Sequence, residues 1–260
     1  MKAFHGQQII IVGGSGGLGS AIAHSMVDAG GSVLLVGRTL ESLQEVAKAL
    51  GEPAQTWQAD LTDEDSLAAL AKSHPQPDVV INATGYDVRK PFLRHTTEDM
   101  RNLLEINLLG AMQLTHAFLP GMLARRSGSI VHLGGFADGR LAFPYYSADA
   151  ASRAGLRTFL ESLNREIAGH GVTLTYFSPA PADTLAERPF HPIWREMGTP
   201  ILPPQQIAAA VLDAIQRNES VRIMGIGARL LAAVNVISPA LADHLAMRSM
   251  SRVLAKYFGP

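Results

Sequence analysis

The first residues with chemical meaning are seven in a row, Gly13-Gly14-Ser15-Gly16-Gly17-Leu18-Gly19. Glycines at this density let a backbone turn tightly and come close to a ligand. Where such a turn opens a helix, free N–H groups and the positive end of the dipole suit a pyrophosphate. Gly13, Ser15, Gly16, Gly17, Leu18 and Gly19 are therefore candidate dinucleotide contacts. A second candidate is Arg38, at the end of the next apolar run in Val36-Gly37-Arg38. A site for a free ribose 2′-hydroxyl would place a carboxylate near here. A guanidinium suits a 2′-phosphate by charge and by its fork of donors, so the expected cofactor is NADP(H). Small or polar clusters follow further on: Asp60-Leu61, Asn82-Ala83-Thr84-Gly85, Gly134-Gly135, and 179–184, from Pro179 to Thr184. Asp60 could accept from an adenine amino group, and Asn82 could fix a loop near the ribose.

These clusters need a scaffold that brings them to one edge. Short β-branched runs at 8–12, 32–36, 55–58, 78–81, 129–133, 173–177 and 221–224 alternate with longer helical patterns. Most runs are apolar throughout, as parallel strands covered on both faces require. The helix candidates are 18–29, 40–50, 63–73, 98–123, 148–168 and 204–217. Gly30 and Gly51 stop the first two. Thr62 with Asp65 three residues later resembles a capping box for the third. The alternation predicts an α/β fold of Rossmann type: a doubly wound parallel sheet of about seven strands, helices on both faces, in one domain over 1–260. Ligands of such sheets lie beyond the carboxyl ends of the strands, where every cluster falls.

Composition narrows the field. The chain has 260 residues, 47% of them hydrophobic, and 22 Lys+Arg against 23 Asp+Glu, for a net charge of -1. A global basic field for nucleic acid is absent. No cysteine is present, which excludes disulfides, zinc-thiolate sites and a cysteine nucleophile. The nine histidines are scattered without paired spacing, so no metal site is expected. The start shows no signal-peptide pattern, and no stretch reaches the roughly 18 apolar residues of a spanning helix. A cytoplasmic protein is expected.

Together these residues resemble the short-chain dehydrogenase/reductase family over nearly the whole chain. Val12-Gly13 with Gly17 and Gly19 resembles the family's threonine-glycine motif, without the threonine. Asn82-Ala83-Thr84-Gly85 is similar to its Asn-Asn-Ala-Gly motif. Asn107 matches its helix-four asparagine, which holds a proton-relay water. Gly128-Ser129-Ile130-Val131 matches the entry to the strand that ends in the catalytic serine. Pro179 and Thr184 match residues flanking the nicotinamide. The resemblance implies a homodimer or homotetramer built partly on the helices at 98–123 and 148–168.

The catalytic segment departs from the family pattern of tyrosine, then x-Ala-Ser-Lys. The spacing from Pro144 and the downstream Ala154-Gly155-Leu156 put Asp149 at the tyrosine position and Arg153 at the lysine position. The serine position falls at Gly134 or Gly135; Gly135 is taken to face the substrate. A second register would make Tyr146 the tyrosine and Ala150 the lysine. Asp149 and Arg153, at i and i+4 on a helix, can pair. An ionised Asp149 would repel a developing alkoxide, and an arginine stays protonated, so neither replaces its counterpart simply. Tyr145, Tyr146 and His132 are substitute acid candidates, and the expected catalytic set is Asn107, Tyr146, Asp149 and Arg153, with Arg153 also holding ribose hydroxyls.

The segment 185–204 is expected to close over the substrate as a lid. Phe190 and Trp194 within it, with Tyr145, point to an apolar or aromatic small molecule; His191 is read as solvated. The tail from about 227 to 260 breaks the alternation. It is helical and amphipathic, with five Lys/Arg and one Asp from Arg222 onward. Packing or oligomer contact, a lid, or docking at a membrane surface are its readings. Three functions stay open. The first is an NADP(H)-dependent oxidoreductase acting on a carbonyl or alcohol with non-standard acid-base groups. The second is a nucleotide-bound dehydratase, isomerase or cyclase with Asp149 as base. The third is a catalytically silent NADP(H)-binding regulatory protein.

Overall fold

The structure is a computed structural model describing residues 3–135 and 141–259. In chain order its regular elements are β1 (Gln8–Val12), α1 (Gly17–Asp28), β2 (Ser32–Gly37), α2 (Leu40–Leu50), β3 (Ala54–Gln58), α3 (Glu64–Ser73), β4 (Val79–Asn82), α4 (Thr97–Leu104), α5 (Gly110–Arg125) and β5 (Gly128–Leu133). There follow α6 (Ser147–Glu166), β6 (Val172–Ser178), α7 (His191–Glu196), α8 (Pro204–Gln216), β7 (Val221–Ile223), α9 (Ile226–Ile237), α10 (Pro239–Ala242) and α11 (Arg248–Phe258).

The seven strands form one sheet in the order β3-β2-β1-β4-β5-β6-β7, with every pairing parallel. The Rossmann-type expectation holds. Consecutive residues of β1 serve opposite faces. Ile9 and Ile11 pack with Ile22 and Met26 of α1 and Val211 of α8. Ile10 and Val12 pack with Leu70 of α3, Leu114 of α5 and Leu160 of α6. Burying each such side chain contributes roughly 1.5–3 kcal/mol, which is why the run is apolar throughout rather than alternating. The order reverses direction between β1 and β4, and the split there opens the crevice that holds ligands in such sheets.

Two local expectations are corrected. The cap of α3 is Asp63, not Thr62: Asp63 Oδ1 accepts from the N–H groups of Asp65 and Ser66 at 3.0 and 3.3 Å. Thr62 is drawn away to Asp60 Oδ1, to which it donates from both its N–H and its hydroxyl. The helix expected over 98–123 is divided by a π-helical turn at Glu105–Leu109. The wider turn interrupts the α ladder around Asn107, a position where such bulges often serve function.

Candidate active site

The glycine loop after β1 behaves as its spacing predicts. Gly13 has φ +81, and a Cβ there would meet the carbonyl carbon of Ala83 at 2.9 Å. A Cβ on Gly19 would fall 2.1 Å from the Gly13 carbonyl oxygen. No side chain caps α1, whose N-cap residue is Gly16. Ser15 and Gly16 are exposed in the loop and Leu18 borders the cleft. Across the loop, a Cβ on Gly17 would meet Thr184 Cγ2 at 2.6 Å, so these two cofactor candidates adjoin.

Arg38 is exposed, its carbonyl accepts from Gln58 Nε2 at 2.8 Å, and among the described residues it has no ion pair. Asp60 is half-buried and turned toward Thr62. The Leu61 side chain is buried in the core against Gly110. Asn82 is buried at the end of β4 and accepts from the Thr84 N–H and hydroxyl at 3.1 and 2.6 Å. This cradle, with backbone room, an uncapped helix start and an unpaired cation, fits a phosphorylated dinucleotide.

Beyond the loop lies a cleft of about 300 Å³. Ala83, Gly85, Gly135, Tyr146, Asp149, Arg153, Pro179, Thr184 and Trp194, all named from the sequence, line it. Asp149 and Arg153 project from successive turns of α6, and Arg153 Nε donates to Asp149 Oδ1 at 3.3 Å. Arg153 then runs between Gly85 and Gly135. A Cβ on Gly85 would meet its Nη2 at 3.1 Å, and one on Gly135 its Cγ at 3.0 Å.

Asn107 binds Tyr86 in both directions, accepting from its N–H at 2.8 Å and donating to its carbonyl at 2.9 Å. Its Nδ2 also reaches Ser152 Oγ at 3.1 Å and Asp149 Oδ1 at 3.3 Å. Burial pushes the Asp149 carboxyl above its ordinary value, against the opposing pull of Arg153.

Tyr146 also faces the cleft. Its predecessor Tyr145 takes a left-handed backbone, φ +71, held by its carbonyl accepting from the Lys90 N–H at 3.0 Å. Such strain persists only where the surroundings hold it. The Tyr146 hydroxyl is buried without a hydrogen-bond partner among the described residues, and burial raises its pKa.

His132 is not available as an acid. It is wholly buried in β5, between Asn82 Nδ2 at 3.2 Å from Nδ1 and the Thr115 hydroxyl at 2.9 Å from Nε2. Thr115 donates onward to the Ala111 carbonyl. The directions close with a neutral imidazole bearing its proton on Nε2. Burial lowers its pKa to about 3.

Phe190 and Tyr145 stand outside the cleft lining. They pack against Phe258 of α11, with ring centroids 6.3 and 6.2 Å apart. His191, read as solvated, is buried, with Nε2 at 3.3 Å from the Ala182 carbonyl. Its place at the head of α7 turns it toward the chain leaving β6.

A charged cluster that no sequence signal announces stands on the cleft wall. Arg89 makes a bidentate pair with Glu187 at 3.0 and 2.9 Å and a contact with Asp87. Its guanidinium lies 3.7 Å from the Phe190 ring centroid. Glu187 also accepts from Trp194 Nε1. Nothing in a local pattern announces a pair 98 residues apart. Tyr176 is likewise unannounced. A Cβ on Gly134 would sit 2.3 Å from its hydroxyl oxygen, which accepts from the Gly135 N–H at 2.9 Å. Ser178 donates to the Gly135 carbonyl at 2.8 Å, so Gly135 is clamped by its backbone from β6.

Comparison with known proteins agrees with this geometry. The short chain dehydrogenase family model matches residues 7–192. An uncharacterised oxidoreductase of Mycobacterium bovis is 31% identical over 261 residues, covering 96% of this chain and 75% of the relative. A solved short chain dehydrogenase/reductase family protein is 29% identical with a TM-score of 0.75, covering 82% of this chain and 90% of that one. A short chain dehydrogenase from Burkholderia cenocepacia, solved in complex with NADP, has a TM-score of 0.81 at 24% identity, covering 92% and 97%. That last likeness is one of fold. With the matching family model, the near full-length relative and the glycine cradle in agreement, this chain belongs to the short-chain dehydrogenase/reductase family of oxidoreductases.

Proposed function

We propose that the protein is an NADP(H)-dependent oxidoreductase that interconverts a carbonyl and an alcohol on an apolar or aromatic small molecule, with Asp149 as the proton carrier. The observation that carries this reading is the placement of Asp149. It faces the cleft and presents Oδ1 to both Asn107 and Arg153, and the register read from the sequence puts it at the family's tyrosine position. Among the described residues no donor reaches Oδ2.

The bound nicotinamide supplies or accepts the hydride. The glycine cradle at the start of α1 would hold the pyrophosphate, Arg38 would serve a 2′-phosphate, and Arg153, lying between Gly85 and Gly135, would serve the ribose hydroxyls. Asn82, locked to Thr84 and His132, keeps the adjoining loop in place. Burial shifts Asp149 toward its neutral form, against the pull of Arg153, and so lessens the repulsion a carboxylate would exert on a developing alkoxide. In reduction the Oδ2 proton passes to the substrate oxygen as charge builds there. The carboxylate left behind keeps the N–H groups of Asn107 and Arg153 on Oδ1. In oxidation Oδ2 takes the proton back. Trp194 and Phe143 give the cleft its apolar walls, and 185–204 serves as the lid, latched through Glu187 to Arg89. One domain and a cytoplasmic setting, read from composition and pattern, and a homodimer or homotetramer, carried over from the resemblance, belong to the same reading.

The test is transfer of deuterium from NADPH deuterated at the nicotinamide C4 to a panel of aryl and alkyl carbonyls. Label in the alcohol carbon, lost in Asp149→Asn with NADPH affinity kept, supports the reading. Turnover without label points to the non-redox alternative. Tight NADPH binding with no turnover of any kind points to a silent binder.

A further inference from the structure

We propose that the outward face of the C-terminal tail docks the protein on an anionic lipid surface. The tail exposes two kinds of side chain, apolar and basic. Ile226, Leu230, Ala233 and Ile237 stand at i, i+4, i+7 and i+11 of α9, which places them in one stripe. All are exposed, Ile237 to 84%. Leu241 and Leu245 extend the exposed apolar side chains along the next turns. Arg229 stands on α9 beside the stripe, three residues from Ile226 and four from Ala233, and the tail also exposes Arg248 and Arg252 of α11, all three without an ion pair among the described residues, with Asp243 as the tail's acidic residue.

The inner side of the tail is already used. Lys256 and Tyr257 bond Glu196 at 2.8 and 2.9 Å, and Phe258 packs with Tyr146 and Phe190. Ala228, Leu231 and Met250 pack around Leu141 and Met247. The apolar stripe is therefore surplus to the fold.

Charge decides between occupants. A second copy meeting this face through a two-fold axis would bring the same arginines together, like against like. A bilayer with anionic headgroups accepts the apolar stripe into its acyl boundary and meets the arginines at the headgroup level. None of the described helices is long and apolar enough to cross a membrane, so the mode is docking in the interface plane. This inference stands apart from the redox reading.

The experiment is co-sedimentation of the full chain with vesicles of pure phosphatidylcholine and of equimolar phosphatidylcholine and phosphatidylglycerol. Roughly fivefold per arginine at an anionic surface predicts binding about a hundredfold tighter to the mixed vesicles, declining with added salt. The exposed-site variants Leu230→Glu/Ile237→Glu and Arg248→Glu/Arg252→Glu should each weaken it at least about tenfold, with circular dichroism unchanged. Protein that stays in the supernatant with both vesicles overturns the proposal, as does equal binding to both. It is also overturned if Leu230→Glu/Ile237→Glu lowers the oligomeric state in ultracentrifugation while vesicle binding is unaffected, since the face is then a contact between copies.

Discussion

Asn107 Nδ2 and Asp149 Oδ1 lie 3.3 Å apart, joining the π-helical turn between α4 and α5 to the first turn of α6. The same oxygen receives Arg153 Nε at 3.3 Å. Two donors on one carboxylate oxygen orient the group and leave the other oxygen to the cleft. Replacing Asp149 by Asn keeps the shape and removes the transferable proton. Turnover should fall by roughly 10²–10⁴ with NADPH affinity little changed, as steady-state kinetics and a fluorescence titration would read. Asn107→Ala should cost less in turnover and should also loosen the loop at Tyr86, which Asn107 clasps.

The pH profile follows from the same contact. Burial raises the Asp149 pKa, and reduction needs the protonated form. The rate should be flat at low pH and fall as pH rises through a value above the ordinary carboxylate range. Arg153 favours the carboxylate, so Arg153→Met should move that fall to still higher pH, measured at saturating NADPH. An inflection that does not move with Arg153 would assign the titration to another group.

Arg38 predicts cofactor choice. Its exposed guanidinium, free of ion pairs among the described residues, has no other task. Arg38→Ala should weaken NADPH by about 1.5–3 kcal/mol, the usual worth of a charged hydrogen bond, and leave NADH almost untouched. Calorimetric titration with the two nucleotides would settle it.

His132 makes the fold acid-sensitive. Its pKa is about 3 in the folded chain and near 6.5 when unfolded. Between these values the unfolded chain binds the extra proton. The native state is thus at full strength above about pH 6.5 and loses roughly 1.4 kcal/mol per pH unit on the way down. Urea unfolding at several pH values should show that slope, and His132→Asn should flatten it.

The two glycines after β5 should respond differently to serine. At Gly134 a Cβ would fall 2.1 Å from Tyr176 Cζ, inside a wholly buried ring, so Gly134→Ser should cost about 1–3 kcal/mol or more. At Gly135 the nearest atom is Arg153 Cγ at 3.0 Å, part of a flexible side chain, so Gly135→Ser should be milder. Thermal melts of the two variants provide the comparison.

Much of this molecule was legible in the amino-acid order. Period, strand length and glycine placement are local properties, so the seven strands, the tight glycine turn and the Asp149–Arg153 pair at i and i+4 could be read directly. The clusters after each strand were assigned to one edge because parallel connection leaves them no other place. Local signals failed where two good options competed. Thr62 and Asp63 both suit a helix cap, and only the pull of Asp60 on Thr62 decided for Asp63.

What the tertiary structure alone decided depends on partners far apart in the chain. His132 reads as an acid until Asn82 and Thr115 are seen on its two nitrogens. Phe190 reads as a substrate contact until Arg89 and Phe258 are found against its ring. Gly134 reads as a lost serine until Tyr176 from the neighbouring strand fills the space. The sequence by itself determined the sheet, the tight glycine turn after β1 and the pairing of Asp149 with Arg153, because these are written in residue type and spacing. The tertiary structure decided which polar groups are spent on one another and which still face the cleft, because burial and hydrogen bonding between distant segments exist only once the chain has folded.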